Sequence, residues 1–570
     1  MRRLLQVSMV AAVAAATMAA LPVGATTQGV DGQVASDGFQ AADAQRRRRL
    51  LQANPTGSLP PALRSSAAST GAPEQVAAPP TLPSTSVANS RAPSNFERSA
   101  CPIEFPPELT VDCGVLTAPE NRRKDNGRTV RLPVAIIRAP TTTPKPDPIV
   151  YVTGGPSFNE IDPFSAGFFS GLPFAQDRDF ILYNQRGVGY AEPRLGCPEF
   201  DALRAATFPQ GPTPGQWLDA VDACHDRLIS EGVDLRAYNS AEDAADLRDL
   251  RRALGYKQWN LYVLSAGGVI GLTAMRLYPQ GIRSVILDSA LGNRFKLRGP
   301  DIWGGQNRAL EMVFAGCAAD TACEAAYPNL RARFYERVHA LRADPVVVDL
   351  PVEGGGTFAL TVDGDLVLAD ASSCASDGPF CAPSLPGALD AVADGDIASV
   401  YVGDPIAPDP PLDPFLAEGK SGVARCHDQI AFEPDSELRR AARELPEFRA
   451  HLLTLRFIYI PTLTKQACKL WRAGRAEPAQ NRPVVSAIPT LVLTARWDGI
   501  VWPPEGQEIA SHLRNSFYFE FPGIAHGTLF ASLDGIDCPA TIAAAFVDVP
   551  RTSPDAGCIA TMPDLSFTPP

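Results

Sequence analysis

The chain has 570 residues, of which 45% are hydrophobic and 20% are charged, a balance that is ordinary for globular proteins and excludes a fibrous or wholly disordered one. Its formal net charge of -12 argues against nucleic acid or an anionic membrane surface as the main partner, because both attract surfaces rich in lysine and arginine. Peptides and other small molecules remain open as ligands.

The first residues of the chain have the pattern of an export signal. Two arginines precede an apolar run from about Leu4 to Leu21, and Gly24 and Ala25 then supply small residues for cleavage. A transmembrane anchor is the alternative interpretation, but the run is rich in alanine and short beside the roughly 20 strongly apolar residues that span a bilayer. We therefore expect a signal peptide over 1–25, its cleavage, and no stable membrane span afterwards.

The next segment, 26–99, has the composition of a disordered linker or pro-segment. It is rich in Ala, Pro, Ser, Thr and Gln, with few aromatic residues and no sustained apolar period. A basic run from Arg46 to Arg49 interrupts it. A processing site, a surface tether and a merely solvated charge cluster are all open interpretations of that run.

The cysteines indicate disulfides. The chain has 12 of them, an even number, and none lies in a C-x-x-C pair. Zinc sites usually show such tight pairs, so a disulfide set formed in an oxidising compartment is the better interpretation. With the export signal, it predicts a periplasmic or extracellular protein. Connectivity does not follow from sequence alone, and our working hypothesis pairs neighbours in sequence order: Cys101 with Cys113, Cys197 with Cys224, Cys317 with Cys323, Cys374 with Cys381, Cys426 with Cys468, and Cys538 with Cys558.

The folded part begins at about residue 100, and from there short apolar runs alternate with helical patterns. Continuous runs of β-branched and aromatic residues between helices are typical of a mostly parallel sheet that is covered on both faces. The sequence therefore predicts an α/β domain. The runs are LPVAIIR (132–138), PIVYV (148–152), FILYN (180–184), WNLYVL (259–264), SVILDSAL (284–291), PTLVLTA (489–495) and SFYFEF (516–521).

Ser265 stands at a junction that favours a nucleophile. A helix with its N-terminal capping signal at Ser240 ends at Gly255 and leads into the strand WNLYVL, and the next helix starts just after Ser265. This order holds the serine at the carboxyl edge of the sheet, where open α/β folds bind their ligands. The backbone N–H of Ala266 then lies at a helix N-terminus, where it can stabilise a developing oxyanion.

An acid and a base follow Ser265 in the order that a Ser-His-Asp site on such a sheet requires. Asp498 lies in a loop directly after the strand PTLVLTA, and His526 lies in a loop directly after SFYFEF. Of the six histidines, only His526 has a glycine-flanked position at the end of a strand. Each residue alone has a plain structural interpretation, as a loop cap or a surface residue. Their shared order and context favour catalysis.

A series of segments stands in the order seen in a known family: CPIEFPPELTVDCGVLTAPENR, YVTGGPS, YNQRGVGYAEPRLGCPEF, YNSAEDAADLRDLRRALGYKQWNLYVLSAGG, RSVILDSAL, CEAAYPNL, TARWDGIVWPP and GIAHG. Together they resemble the proline iminopeptidase and tripeptidyl aminopeptidase family of α/β-hydrolase peptidases, especially its secreted branch with a tripeptidyl-aminopeptidase-like C-terminal region. The resemblance covers most of Cys101 to Cys558. It implies an α/β-hydrolase fold in which the core segments 100–292 and 485–570 flank a large, mainly helical cap at 293–484.

The resemblance also implies a role for each candidate residue. Ser265 corresponds to the nucleophile, Asp498 to the orienting acid and His526 to the general base. The backbone N–H groups of Gly155 and Ala266 correspond to the oxyanion hole.

Three motifs depart from the family pattern. The oxyanion loop reads TGGPS (153–157) in place of HGGPG, and NQRGVGYA (184–191) stands for DQRGxGxS, a change that we interpret as structural. The largest departure is Val263, which replaces the first glycine of G-x-S-x-G. That glycine lets a strained turn approach its neighbours closely. Val263 therefore either costs on the order of 1 to 3 kcal/mol of strain or relaxes the turn and points Ser265 away.

The leading prediction is an exported serine aminopeptidase that releases short units from peptide N-termini through an acyl-enzyme. Two alternatives stay open: an esterase or lipase on the same scaffold, and a catalytically decayed hydrolase that acts as a binding protein. We expect no metal and no organic cofactor, because the chain has no HExxH, no zinc-like cysteine cluster and no nucleotide-binding loop. The expected partner is a peptide or a small ester.

Overall fold

The computed structural model describes residues 94–124, 127–155, 157–408, 415–454 and 464–567. The predicted signal peptide and almost all of the predicted linker lie outside these residues. The last part of the linker segment is described, and Asn95–Arg98 within it form the first strand. The sheet therefore begins a few residues before the predicted start of the folded part.

The central sheet has an antiparallel edge and a parallel remainder. Its strands are β1 (Asn95–Arg98), β2 (Val111–Pro119), β3 (Thr129–Ile137), β4 (Ile149–Val152), β5 (Phe180–Tyr183), β6 (Trp259–Leu264), β7 (Ile282–Asp288), β10 (Thr490–Ala495) and β11 (Ser516–Phe521). Their order across the sheet is β1-β2-β3-β5-β4-β6-β7-β10-β11. Strands β1, β2, β3 and β5 pair antiparallel, whereas every pair from β5 to β11 is parallel. A mostly parallel sheet was predicted, and it is confirmed.

Both faces of the sheet are buried at its centre, which explains why the central strands β4, β5, β6 and β10 are apolar at nearly every position. In β6, Leu261 and Val263 pack into the hydrophobic cluster on one face, and Tyr262 and Leu264 pack into the cluster on the other. A strand that turns alternate side chains to two apolar layers needs apolar residues throughout. The continuous run WNLYVL meets this requirement, and all six of its residues are buried.

Helices cover the two faces of the sheet. The helix before β6 is capped by Asn239, whose side chain accepts hydrogen bonds from the backbone N–H groups of Ala241 and Glu242, so the cap lies one residue before the predicted Ser240. Gly255 follows its end with a positive φ of 78°, as expected of a residue that terminates a helix. The core helices are α1 (Pro163–Gly171), α2 (Pro198–Thr207), α3 (Pro214–Ser230), α4 (Ser240–Ala253) and α5 (Gly267–Leu277), followed at the C-terminal end by α16 (Pro503–His512) and α17 (Cys538–Asp548).

A large, mainly helical region stands between the two parts of the core, as predicted. It has a hydrophobic cluster of its own, in which Trp303, Phe334 and Leu385 are buried. A two-stranded antiparallel sheet, β8 (Val346–Pro351) with β9 (Thr357–Val362), adds to it. Its helices are α6 (Pro300–Ala319), α7 (Thr321–Ala326), α8 (Leu330–Ala343), α9 (Gly364–Ser376), α10 (Leu385–Asp394), α11 (Ile397–Tyr401), α12 (Glu418–Asp428), α13 (Asp435–Glu444), α14 (Arg449–Leu453) and α15 (Lys465–Trp471).

The core and the cap contain six disulfides. Each joins cysteines that are neighbours in sequence order, so the predicted pairing is confirmed. The pairs are Cys101–Cys113, Cys197–Cys224, Cys317–Cys323, Cys374–Cys381, Cys426–Cys468 and Cys538–Cys558. Within the described part of the chain, no helix combines the length and the apolar character that a bilayer span requires.

Candidate active site

The three residues predicted to form a catalytic triad lie in loops at the carboxyl edge of the sheet. Ser265 directly follows β6, Asp498 lies in the loop after β10, and His526 lies in the loop after β11. Strands β6, β7, β10 and β11 are successive neighbours in the sheet. Parallel neighbours end at the same edge, so the fold gathers these three loops on one side.

The turn after β6 holds Ser265 in a strained conformation. Its φ is 53°, in the left-handed region that residues other than glycine rarely adopt. The backbone N–H of Ser265 donates to the carbonyl of Asp288 at 3.1 Å, and its carbonyl accepts from the N–H of Gly268 at 2.9 Å and of Leu291 at 2.8 Å. These bonds on both sides of the residue offset the strain and fix its direction.

Val263 does not open this turn, because the helix that follows makes room for it. A Cβ on Gly271 of α5 would lie 2.9 Å from Cγ2 of Val263, so the valine side chain fills the space of a missing side chain on the helix. Val263 itself is completely buried. The close approach that a glycine usually provides on the strand is provided here by a glycine on the helix.

The loop that was predicted to form the oxyanion hole packs directly on Ser265. A Cβ on Gly154 would lie 2.7 Å from Cβ of Ser265 and 3.2 Å from the backbone nitrogen of Ala266, so only glycine permits this contact. Gly155 follows with φ of 108°. Pro156 of the same loop lies outside the described residues. Ala266 stands at the N-terminal end of α5, which directs its N–H group toward the edge of the sheet.

Asp498 and His526 form the predicted pair. Nδ1 of His526 lies 2.7 Å from Oδ2 of Asp498. Oδ1 of Asp498 accepts hydrogen bonds from the backbone N–H groups of Ile500 at 2.9 Å and Val501 at 2.8 Å. Both carboxylate oxygens are therefore occupied, which fixes the plane of the carboxylate and, through it, the orientation of the imidazole.

The charge of Asp498 also sets the basicity of His526. Burial alone lowers the pKa of this histidine, but the neighbouring charge of Asp498, its hydrogen bond and the more distant charge of Asp288 outweigh burial and raise the pKa above its ordinary value. A carboxylate that stabilises the imidazolium is what a general base needs when it accepts a proton.

Asp288, at the end of β7, is a buried carboxylate that the sequence did not single out. It accepts hydrogen bonds from Tyr262 Oη at 2.9 Å and from the backbone N–H groups of Thr528 at 2.7 Å and Leu529 at 3.2 Å. The next residue, Ser289, accepts from the N–H of Gly527 at 3.0 Å. The end of β7 therefore anchors the loop that carries the histidine. The signal was available, because Asp288 ends a buried strand and Asp498 comes soon after one.

No hydrogen bond joins Ser265 Oγ to His526, or to any other residue that the structure describes. The hydroxyl is thus not held by a structural partner, and Ser265 is half-buried, with part of its surface open to solvent. Catalytic hydrogen bonds of this kind are often long or misaligned without substrate and tighten when it binds.

The second departing motif, NQRG, makes buried structural contacts. Arg186 is fully buried, donates to both carboxylate oxygens of Asp246 at 2.7 and 2.8 Å, and donates to the carbonyl of Ala237 at 2.8 Å. Asn184 donates to Oε2 of Glu160 at 3.0 Å. An amide in place of the family's carboxylate fits here, because a carboxylate would face that of Glu160.

Comparison with known proteins agrees with this fold. The family model for the α/β hydrolase fold matches residues 147–320, which include β4 to β7 and Ser265. The fold is that of the α/β hydrolases. The chain is 27% identical over 243 residues to the tripeptidyl aminopeptidase of Streptomyces coelicolor, with 40% of this chain and 42% of that protein covered.

Two further similarities span different shares of the chain. The serine protease Hip1 of Mycobacterium tuberculosis is 28% identical over 248 residues, which cover 41% of this chain and 46% of that protein. The chain thus spans less than half the length of these curated relatives. Among solved structures, a thermophilic esterase from Thermogutta terrifontis has 13% identity and a TM-score of 0.31, with 75% of this chain and 97% of the esterase covered.

Proposed function

We propose that this α/β hydrolase is an exported serine aminopeptidase that releases short units from peptide N-termini. The observation that carries the proposal is the hydrogen-bonded pair of Asp498 and His526 at the same sheet edge as Ser265, whose hydroxyl no described residue engages. A strained serine at a helix N-terminus, with an oriented histidine at the same edge of the sheet, has the parts that acyl transfer requires.

The proposed mechanism follows from these positions. His526, oriented by Asp498, accepts the proton of Ser265 as the Oγ atom attacks the acyl carbon of the substrate. The N–H groups of Ala266 and Gly155 stabilise the oxyanion that forms. The protonated His526 then donates to the leaving amine, and water releases the acyl group from Ser265 by the same path in reverse.

Two lines support the choice of peptide substrates and of export. The two curated relatives are named for peptidase and protease activity. The six disulfides are typical of proteins that fold in an oxidising compartment.

A panel of matched substrates tests the proposal. A tripeptidyl p-nitroanilide with a free amine should be hydrolysed, and its N-acetylated counterpart should be hydrolysed at least roughly tenfold more slowly, because an aminopeptidase recognises the free amine. Short-chain p-nitrophenyl esters complete the panel, with the Ser265→Ala variant as control throughout. Hydrolysis of esters without hydrolysis of either anilide would contradict the aminopeptidase and favour the esterase alternative.

A further inference from the structure

Helix α12 of the cap lies over the carboxyl edge of the sheet. Just before the helix, the N–H of Ala417 donates at 3.1 Å to the carbonyl of Ser157, the last residue of the predicted oxyanion loop. Just after it, Gln429 Nε2 donates to the carbonyl of Phe295 at 3.4 Å, and Phe295 packs in the apolar cluster that contains Ala266. The helix therefore runs from the oxyanion loop to the far side of the nucleophile turn.

Two contacts hold this helix on the core, and a disulfide joins it to another helix of the cap. Lys420 Nζ lies 2.6 Å from Oδ2 of Asp243 in a fully buried ion pair with α4. Oδ2 of Asp428 accepts the N–H of Ser240 at 2.8 Å. A disulfide joins Cys426 of the helix to Cys468 of α15. Side chains on α12 are thus placed over the site in advance of any ligand.

Arg425 is the side chain of α12 that reaches the oxyanion loop. Its Nη2 atom donates to the carbonyl oxygen of Gly155. Gly154, the preceding residue, is the one that packs on Ser265. The guanidinium therefore lies within one residue of the contact between the oxyanion loop and the nucleophile, and Arg425 is half-buried, so a ligand can reach it.

This guanidinium has no carboxylate partner among the described residues, and its Nε atom is buried without a hydrogen bond. Other buried cations of the molecule are paired: Lys420 on the same helix with Asp243, and Arg186 with Asp246. Burial lowers the pKa of Arg425 to about 10, so the side chain stays protonated at neutral pH. An uncompensated charge in such a position is costly unless an anion meets it.

We propose that Arg425 binds a carboxylate of the substrate next to the scissile bond, so that the site prefers peptides with an acidic group there. A guanidinium offers several N–H donors in a planar fork that matches a carboxylate, and here Nη2 donates to Gly155 while Nη1 makes no hydrogen bond to a described residue. The same positive charge disfavours a cation at this point of the site. The inference rests on the proposed function of Ser265.

Pairs of substrates that differ only in Glu and Gln test the proposal. One pair carries the residue on the acyl side of the scissile bond and the other carries it on the leaving-group side, so the two sources of the carboxylate are separated. In at least one pair, kcat/KM of the wild-type protein should be roughly tenfold or more higher for Glu than for Gln. Hydrolysis without a preference for Glu in either pair would overturn the proposal and leave the proposed function intact.

The variants Arg425→Gln and Arg425→Lys locate the effect. The ratio of Glu to Gln hydrolysis should fall to about one in Arg425→Gln and stay above one in Arg425→Lys, while Arg331→Gln, which alters an exposed arginine paired with Glu311, should keep the wild-type ratio. If Arg425 only supports Gly155, the substitutions would instead lower kcat/KM for the Glu and Gln substrates equally. The ratio would then stay unchanged, which would overturn the proposal.

A binding measurement on the wild-type protein covers the case in which Arg425→Gln does not fold. N-acetylglutamate should slow the reaction of Ser265 with a fluorophosphonate at a concentration at least roughly tenfold below that of N-acetylglutamine. Equal protection by the two compounds would contradict the proposal. No labelling of the folded protein at all would instead contradict the proposed function.

Discussion

Two neighbouring turns of this molecule share a backbone conformation and differ in the contacts of their serine side chains. Strands β6 and β7 are adjacent and parallel, and each is followed at once by a serine with positive φ, 53° at Ser265 and 45° at Ser289. Ser289 is fully buried, and its Oγ atom accepts from the N–H of Gly527. Ser265 is half-buried, and its Oγ atom makes no hydrogen bond to a described residue.

The comparison shows that backbone strain alone does not mark a nucleophile. The residues after each serine make the difference. After Ser265 the chain enters helix α5, which supplies N–H groups at its N-terminus. After Ser289 the chain leaves the sheet through Leu291 and Gly292 toward the cap. The first turn thus supplies the N–H groups that the proposed chemistry needs, and the second anchors the loop of His526.

The largest expected contrast is between the two serines themselves. Ser265→Ala should lower kcat/KM by roughly 10⁵-fold or more, because it removes the nucleophile. Ser289→Ala should lower it by about tenfold or less, since it removes only one hydrogen bond from the histidine loop. Steady-state kinetics on the best anilide measures both, and a greater loss in Ser289→Ala than in Ser265→Ala would reverse the roles we assign to the two turns.

Asp288, at the end of β7, and Asp498, in the loop after β10, give the next contrast. Asp498→Asn should lower kcat by roughly 10⁴-fold, because the imidazole loses its orientation and its stabilising charge. Asp288→Asn should lower kcat far less, because Asp288 contacts backbone N–H groups of the histidine loop and does not contact His526. Similar losses in the two variants would mean that both acids serve the histidine directly.

The pH profile follows from the pKa of His526. Because Asp498 raises this pKa, activity of the wild-type protein should fall as pH decreases through a value above the ordinary one of about 6.5. Removing the negative charge in Asp498→Asn lowers the pKa, so the acid limb of the residual activity should move to lower pH. A profile of kcat/KM from pH 5 to 9 measures the shift, and an acid limb that stays in place would contradict the coupling.

The smallest expected effects concern Val263 and Gly271. Gly271→Ala alone should destabilise the protein by about 1 to 3 kcal/mol, because the new methyl group meets Val263. Val263→Ala combined with Gly271→Ala should recover much of this loss, because the smaller side chain at 263 leaves room for the new methyl group at 271. A double-mutant cycle by denaturant unfolding measures the coupling between the two residues. Additive effects would show that Gly271 does not accommodate Val263.

Much of the fold and part of the site could be predicted from the sequence, because both rest on local signals. Buried strands are continuous apolar runs, and Ser265, Asp498 and His526 each follow one in chain order. The disulfide pairing rested on neighbours in sequence and was right. The Asn239 cap shows the usual limit of such prediction, since the pattern placed the boundary one residue late.

The residues that the sequence did not reveal depend on contacts between distant segments. Gly271 looks like an ordinary helical glycine until the helix packs on β6 and meets Val263. Arg425 lies 270 positions from Gly155 in sequence, and its importance appears only when the cap lies over the core. Asp288 had a local signal, but only the fold distinguishes its backbone contacts from the contact that Asp498 makes with His526.

The central claim is that Ser265 is a working nucleophile, and a fluorophosphonate probe tests it most directly. The purified full-length protein should be labelled at Ser265, as shown by mass spectrometry of the modified peptide, and the labelling should disappear in Ser265→Ala and persist in Ser289→Ala. Folded wild-type protein that remains unlabelled, or that is labelled equally in Ser265→Ala, would contradict the account.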